Sequence, residues 1–488
     1  MKICFIFPPF KHKLFSENIS VVDEEFILPP PIILAWVAAI AKRAGHKVDI
    51  IDANALKLSK KEVLEMIKKL SPDILAFRVD TYHFHTTLDW IRFLKNHLDI
   101  PVLVGGINLD LYPYETMCHP EIDYAVIGEA IYTLPKLLIA LEKKRDLKEI
   151  KGIGYRKNGK IIIQPPSSIL ANLDEYPFPA RELLPNHLYH SFVSQRKNFT
   201  IMLTSTGCPY NCRFCAIAKI PYRKRSVTNV LNEIEDCFRK FKIREIDFFD
   251  AIFFLDKPRA YNICKGIIDR KLPIEWSARS RVDLLDEEII KIAFRAGCRK
   301  IFIGIESKSP KILKNINKQI EPDKVKKCVE LLHKYKIKPL GFFMFGNPGE
   351  TIETIKESLR FAMELNLNYV QICRTIAKPN SKLHEELKVK TGRDYWSLYI
   401  KGEEVEKRLP NPWCEIPESL LEKYIKIGYI LFYFRPTQVY KTLKEVKSLQ
   451  ELIRYIKVAF KMVISYFKPP DIARDNVKRE KKRFPIFV

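Results

Sequence analysis

The stretch TIMLTSTGCPYNCRFC, residues 200–215, runs an apolar strand pattern straight into three closely spaced cysteines. Cys208, Cys212 and Cys215 fall within eight positions, beside Gly207, Pro209 and Phe214. Three thiolates at C-x3-C-x2-C spacing can reach three corners of one small inorganic cluster. A structural zinc site closes with four protein ligands, and no second cysteine pair stands at metal spacing in this chain. His187 and His190 precede the strand that delivers the loop, so they read as polar linker residues. Iron–sulfur clusters are held by cysteine thiolates, commonly four. Three ligands would leave one iron open to a small molecule. Core packing does not suit three thiols on a Gly/Pro-flanked loop, and a disulfide would leave one thiol over.

The loop follows the first strand of a series. Later strand patterns are EIDFFD, IEWSARS, KIFIGIES, PLGFFMFG and YVQICRT, with helical patterns between them. DEEIIKIAFRAG is one such helix, with Asp286 as its N-cap and Gly297 as its stop. Six βα units over residues 198–388 predict a partial (β/α)6 barrel of TIM type, whose chemistry sits at the carboxyl ends of the strands. Gly346, Pro348 and Gly349 read as a turn beside that mouth.

Upstream, residues 1–145 also alternate strands and helices. KICFIF, VDIID, DILAFRV, PVLVGG and DYAVIG alternate with helices near 32–44, 60–70, 86–97 and 132–143. Buried strands separated by helices predict a Rossmann-like, doubly wound parallel sheet. Such a sheet binds ligands at its carboxyl edge. VGG (104–106) and IGE (127–129) stand at two of those ends. Residues 146–197 read as a linker, with a small hairpin turning at Asn158-Gly159 and a Pro-rich segment after it. From 389 to 488 the βα rhythm gives way to a helical, aromatic, basic region.

The chain has 488 residues, enough for two or three domains, and a formal net charge of +25. That surplus favours an anionic partner: nucleic acid, a lipid headgroup surface or a phosphorylated substrate. Eleven cysteines, eight of them scattered singly, predict a reducing, cytoplasmic setting. MKICFIFPP goes straight into an apolar strand pattern, so no signal peptide is expected, and no apolar run is long enough to span a bilayer.

The cysteine loop, at the end of the first strand of a βα series, resembles the radical S-adenosylmethionine (SAM) superfamily. GCPYNCRFC, YRKRSVTNVLNEIE, EIDFFDAIFF, RVDLLDEEIIKIAFRAGCRKIFIGIES and FMFGNPGET are similar to successive landmarks of its core. DILAFRVDTYHFHTTLDWIRFLK, PVLVGG, IDYAVIGEAIYTLPKLL and ILANLDEYPFPARELLP resemble the cobalamin-binding domain of one branch, which holds methyltransferases and anaerobic cyclases. The resemblance covers about residues 1–390. It implies a 4Fe-4S cluster on Cys208, Cys212 and Cys215, with SAM on the open iron. One-electron reduction would then yield a radical that removes hydrogen from an unactivated carbon. It implies SAM contacts from Asp250, Arg281 and Glu306, and cobalamin contacts from Gly105, Gly106, Gly128 and Glu129. It also implies a reductant such as ferredoxin or flavodoxin.

The chain departs from the family in three places. Asp250-Ala251 stands where Asp-Asp is common. Pro30-Pro31-Ile32-Ile33 lacks the glycine of Pro-Pro-x-Gly. No Asp-x-His-x-x-Gly segment supplies an axial histidine, and His83 and His85 read as ordinary polar residues.

Methyl transfer to an unactivated carbon of a small or lipid-like hydrophobic substrate is the leading expectation. Radical cyclisation or carbon–carbon coupling on a lipid or tetrapyrrole is the alternative. A tRNA-modifying role would bring an extra upstream cysteine set and a C-terminal β-barrel, and a cofactor sensor would bring a reader domain; neither stands here. In ELIRYIKVAFKMVISYFK, Arg454, Lys457, Lys461, Ser465 and Lys468 line one helical face. Ile456, Phe460, Val463 and Phe467 line the other, a pattern suited to a peripheral membrane contact.

Overall fold

The computed structural model describes residues 1–9, 27–166, 170–191, 194, 196, 198–406, 408–446 and 449–467. Its first layer is a seven-stranded sheet of β1 (Lys2–Phe7), β2 (Lys47–Asp52), β3 (Ile74–Arg78), β4 (Val102–Gly105), β5 (Tyr124–Val126), β6 (Ile153–Lys157) and β7 (Lys160–Ile163). The order is β2-β1-β3-β4-β5-β6-β7. The first five strands are parallel. Helices α1 (Ile32–Arg43), α2 (Lys60–Leu70), α3 (Phe84–Lys95) and α4 (Ala130–Glu142) connect them, close to the expected positions. α2 begins with a capping box between Ser59 and Glu62, which satisfies orphan amides at its start.

β6 and β7 are the hairpin of the expected linker, and Asn158 and Gly159 both take positive φ in its turn. Rather than standing apart, the hairpin pairs antiparallel with β5 and extends the first sheet. Its Ile153 and Tyr155 are buried in that layer's core.

The second layer has β8 (Phe199–Met202), β9 (Glu245–Phe248), β10 (Glu275–Ser280), β11 (Cys298–Glu306), β12 (Lys338–Phe345) and β13 (Tyr369–Arg374), in sequential order. Every pairing is parallel. This is the partial (β/α)6 barrel. Helices α5 (Val227–Arg239), α6 (Lys257–Asp269), α7 (Glu287–Arg295), α8 (Pro322–Lys334) and α9 (Ile352–Glu364) alternate with the strands. Asp286 caps α7 through the Ile289 amide, and Gly297 follows the helix at φ +99°. Ile246, Phe248, Trp276, Ile301, Ile303, Phe343 and Phe345 pack with α5–α9 in the main core. Strand alternation therefore turns Asp247, Ser277, Arg279, Lys300 and Phe342 to the concave interior.

An open barrel ends in an unpaired strand edge, which invites wrong pairing. Here α11 (Glu418–Tyr433) lies on β13, after the short α10 (Tyr395–Lys401). Tyr429 and Tyr433 stack with ring centroids 6.2 Å apart. The Tyr429 hydroxyl accepts from the Ile372 amide at 3.0 Å and donates to its carbonyl at 3.3 Å. Tyr433 does the same for Val370 at 3.1 and 2.9 Å. Two phenols thus replace a missing strand. α12 (Pro436–Glu445) and α13 (Leu449–Phe467) complete the C-terminal layer.

Candidate active site

β8 delivers the cysteine loop. Gly207 takes φ +75°, and a Cβ there would stand 2.2 Å from the Pro221 carbonyl oxygen, so glycine alone lets the loop fold back on itself. The Cys208 amide then donates to the Ile220 carbonyl at 3.1 Å, and the Cys215 amide to the Cys212 carbonyl at 3.1 Å. Neighbouring loops clamp this turn. The Arg213 amide donates to the Ile316 carbonyl and the Leu383 amide to the Arg213 carbonyl, both at 3.0 Å. The Arg213 guanidinium reaches Glu386 at 2.6 Å, and Asn317 donates to the Asn211 carbonyl at 2.8 Å.

Cys212 is buried, Cys208 and Cys215 are half-buried, and all three are free thiols. Burial pushes the Cys212 thiol up to about 11, while Lys318 and Arg281 pull it down. Among the described residues no three His, Cys, Asp or Glu converge on a single metal ion. The donor set is instead three thiols on one rigid turn with two cations close by. That suits a cluster whose thiolate ligands carry negative charge.

The three expected SAM contacts are all committed to the protein itself. Asp250 is fully buried, and its carboxylate accepts from the Thr204 amide (2.6 Å) and hydroxyl (2.5 Å) and from the Ser205 hydroxyl (2.8 Å). It therefore fastens the segment that leads into Gly207. Arg281 holds Asp283 through two contacts of 3.0 and 3.1 Å and donates to the carbonyls of Lys318 and Gln319. Its guanidinium also lies 3.9 Å from the Tyr210 ring centroid, so it stitches the 318–319 turn to the cysteine loop. Glu306 ends β11 in the left-handed region at φ +66°, after a bulge in the β11–β12 register. Non-glycine residues there cost on the order of 1 kcal/mol or more and cluster at functional sites. The bend carries its carboxylate to Lys318 Nζ at 2.8 Å.

Lys318 and Tyr210 were not singled out in the sequence. No motif surrounds Lys318; only the fold brings it to Cys212. Burial lowers its pKa, but Glu306 and Cys212 together more than offset burial, so Lys318 stays charged. Gly346 and Gly349 both take positive φ in the expected turn beyond β12.

The carboxyl ends of β3, β4 and β5 form a second feature, an apolar cavity against α1. Gly105, Gly106, Gly128 and Glu129 all line it, with Trp36 and Tyr176. Gly106 stands at φ +133°, and a Cβ there would meet the Val79 carbonyl oxygen at 2.3 Å. At Gly105 a Cβ would meet only Val126, at 4.0 Å, so the bare backbone here is not crowded. A glycine-floored apolar cavity fits the face of a large macrocycle.

Glu129 has a further task. It pairs with Arg223 and accepts from the Ala171 amide at 2.7 Å and the Tyr176 hydroxyl at 3.3 Å. Arg223 in turn pairs across a short antiparallel bridge with Thr206. Thr206 and Arg223 both line the cavity, and Thr206 lies two residues before Cys208. The cavity and the cysteine loop thus share a wall. No histidine lines the cavity among the described residues. His83 bonds to Asp80, His85 to the Tyr399 carbonyl and His190 to the Leu188 carbonyl.

Residues 202–362 match the radical SAM superfamily, and residues 27–138 match the B12 binding domain. An uncharacterized methyltransferase of Pyrococcus horikoshii is 33% identical over 427 residues, 85% of this chain and 90% of its own. The anaerobic magnesium-protoporphyrin IX monomethyl ester cyclase of Rubrivivax gelatinosus is 27% identical over 73% of this chain and 66% of its own. Two solved structures share the fold. The radical SAM methyltransferase TsrM from Kitasatospora setae, with cobalamin and a 4Fe-4S cluster bound, has a TM-score of 0.64 at 19% identity, over 80% of this chain and 75% of its own. The cobalamin-dependent SAM radical enzyme OxsB has a TM-score of 0.66 at 17% identity, over 98% of this chain and 75% of its own. Two domain matches and one relative spanning nearly the full length agree with the shared wall: this chain belongs to the radical SAM enzymes that carry a B12-binding domain, and its cofactors are a 4Fe-4S cluster, SAM and cobalamin.

Proposed function

We propose that this enzyme transfers a methyl group to an unactivated carbon of a hydrophobic acceptor. When bound, the cluster with SAM supplies a radical and cobalamin supplies the methyl group. A one-electron reductant of the ferredoxin or flavodoxin class supports the first. The chain's own residues clamp the loop, hold the Lys318 charge beside it and keep the two cofactor sites wall to wall.

The observation that carries the acceptor class is the concave face of the barrel. Its deeper part is closed by two ion pairs, Lys300 with Glu245 at 2.6 Å and Arg279 with Asp247 at 2.9 Å. Beside them lie Phe249, Phe302 and Phe342, the first two bridged by Arg279. The Arg279 guanidinium lies 4.0 Å from the Phe249 ring and 5.0 Å from the Phe302 ring, and Phe302 and Phe342 are 6.4 Å apart. Phe249 is 44% exposed although it directly precedes the buried Asp250. An exposed aromatic next to the residue that fastens the cysteine loop suits contact with an apolar substrate.

Radical ring closure is the second reading, favoured by the cyclase relative. The test is anaerobic turnover with methyl-deuterated SAM and a lipid and tetrapyrrole extract. Label in an apolar product supports methyl transfer. A product altered in mass without label assigns cyclisation, and consumption of SAM without any acceptor product removes both.

A further inference from the structure

Fifteen large apolar residues among the described ones are exposed, and eight of them fall between residues 431 and 460. They are not scattered. On α12, Val439, Tyr440 and Leu443 share one helical stripe, opposite Gln438, which is buried and donates to the Asn368 carbonyl at 2.8 Å. On α13, Leu452, Tyr455, Ala459 and Met462 line a groove against α12 and α11. Ile453, Ile456 and Phe460 occupy the adjoining stripe and stay 44%, 58% and 66% exposed. The groove measures about 280 Å³, and the exposed Val439, Leu443 and Ile456 form part of its lining, so it opens on this face.

Cations border the apolar stripe. Lys444, Lys457 and Lys461 are exposed on the same two helices. The sequence from 436 to 488 holds thirteen Lys or Arg against five Asp or Glu, a surplus of eight positive charges. Monomeric proteins seldom expose so concentrated an apolar patch without a partner. No helix among the described residues is long and apolar enough to cross a membrane. The side chains of Arg454, Ser465 and Phe467, and all of Lys468, lie outside the described set. The amphipathic reading therefore rests on α12 and the stripe from Ile453 to Lys461.

We propose that the α12–α13 face docks on an anionic bilayer surface, with Ile453, Ile456 and Phe460 entering the headgroup boundary and the lysines meeting lipid phosphates. A soluble partner protein would answer the apolar stripe; the lysine border adds complementarity to an anionic lipid layer. The face is fixed to the catalytic barrel. Tyr429 and Tyr433 hold α11 to β13, and Arg435, just before α12, donates to the Met363 carbonyl at 3.0 Å. Docking would thus bring the open edge of the barrel to the membrane without a flexible tether. The binding does not depend on which acceptor is methylated, so this proposal and the acceptor reading fail separately.

The test is co-sedimentation of the full-length, cofactor-loaded protein with vesicles of phosphatidylcholine, alone or mixed equally with phosphatidylglycerol. Binding should favour the anionic vesicles and fall with added salt. The double variant Ile456→Asp with Phe460→Asp should bind at least about tenfold more weakly. Lys457→Glu with Lys461→Glu should lose about tenfold on anionic vesicles alone. SAM cleavage at the wild-type rate, with no acceptor present, shows that each variant is folded. Wild-type protein that stays in the supernatant overturns the proposal, as does a double Asp variant that binds like wild type. A dimer that the Asp variant splits, with no vesicle binding by either, overturns it and assigns the face to a second copy.

Discussion

Lys318 holds its ammonium group 2.8 Å from the Glu306 carboxylate, and both lie buried beside Cys212. Gly304 leaves the space for this pair. A Cβ at Gly304 would stand 2.5 Å from Glu306 Oε1 and 2.6 Å from Lys318 Nζ. Lys318→Met should cost about 3–5 kcal/mol because it strands a buried carboxylate. Gly304→Ala should displace the same pair. If one interaction is lost in both, the double variant will be less destabilised than the sum, as a denaturant double-mutant cycle would report.

Each cysteine of the loop should be required for SAM cleavage. Cys208→Ala, Cys212→Ala and Cys215→Ala should lose bound iron and deoxyadenosine production yet keep the wild-type circular dichroism spectrum. The clamps that shape the turn run through backbone groups and Arg213, not through sulfur. Full deoxyadenosine production by a soluble Cys212→Ala protein would remove the cluster assignment.

The phenol pair on β13 makes a local prediction. Tyr429→Phe and Tyr433→Phe should each cost about 1 kcal/mol, since each hydroxyl serves one backbone amide and one carbonyl. Hydrogen exchange should quicken at Ile372 in the first variant and at Val370 in the second. Unchanged exchange at both amides would mean that the helix leaves the edge unprotected.

Glu129 and Arg223 should control cobalamin retention without touching the cluster loop's thiols. Glu129→Gln removes the charge that holds Arg223 and weakens the contacts to Ala171 and Tyr176. Cobalamin affinity should fall about tenfold, the scale of one charge-assisted hydrogen bond. An absorbance titration measures it, and iron content should stay at the wild-type level.

Glu350 predicts a pH dependence. Burial raises its pKa to about 7, against hydrogen bonds from Asn347 and Thr354. The folded state therefore keeps this proton at pH values where the unfolded chain has released it. Stability should fall as pH rises from about 4.5 to about 7 and then level off, by up to about 3 kcal/mol from this group. Glu350→Gln should flatten that slope in thermal denaturation series.

The parallel strand patterns, the six βα units and the three cysteines are all readable in the chain because each depends on local spacing. That Gly105, Gly106, Gly128 and Glu129 line one cavity was legible for the same reason: strand ends in a doubly wound sheet face one edge. Asp250, Arg281 and Glu306 were located at strand ends, but Thr204, Lys318 and Tyr210 beside them were not. Thr204, Lys318 and Tyr210 reach them only after the chain closes, and these contacts also make the three residues struts of the loop. The hairpin at Asn158-Gly159 carried its turn signal openly, whereas its pairing with β5 is a matter of which sheet edge lies free.

By itself, then, the amino-acid order determined two α/β layers, a three-thiol loop and a basic amphipathic end, since hydrophobic period and turn chemistry act over a few residues. Tertiary structure decided what those parts do to one another. Thr206 and Arg223 make one wall serve both the glycine-floored cavity and the cysteine loop, Lys318 lies near Cys212 across about a hundred residues of chain, and Tyr429 and Tyr433 cover the barrel's open edge. Such contacts join residues far apart in sequence, and only packing the whole core brings them together.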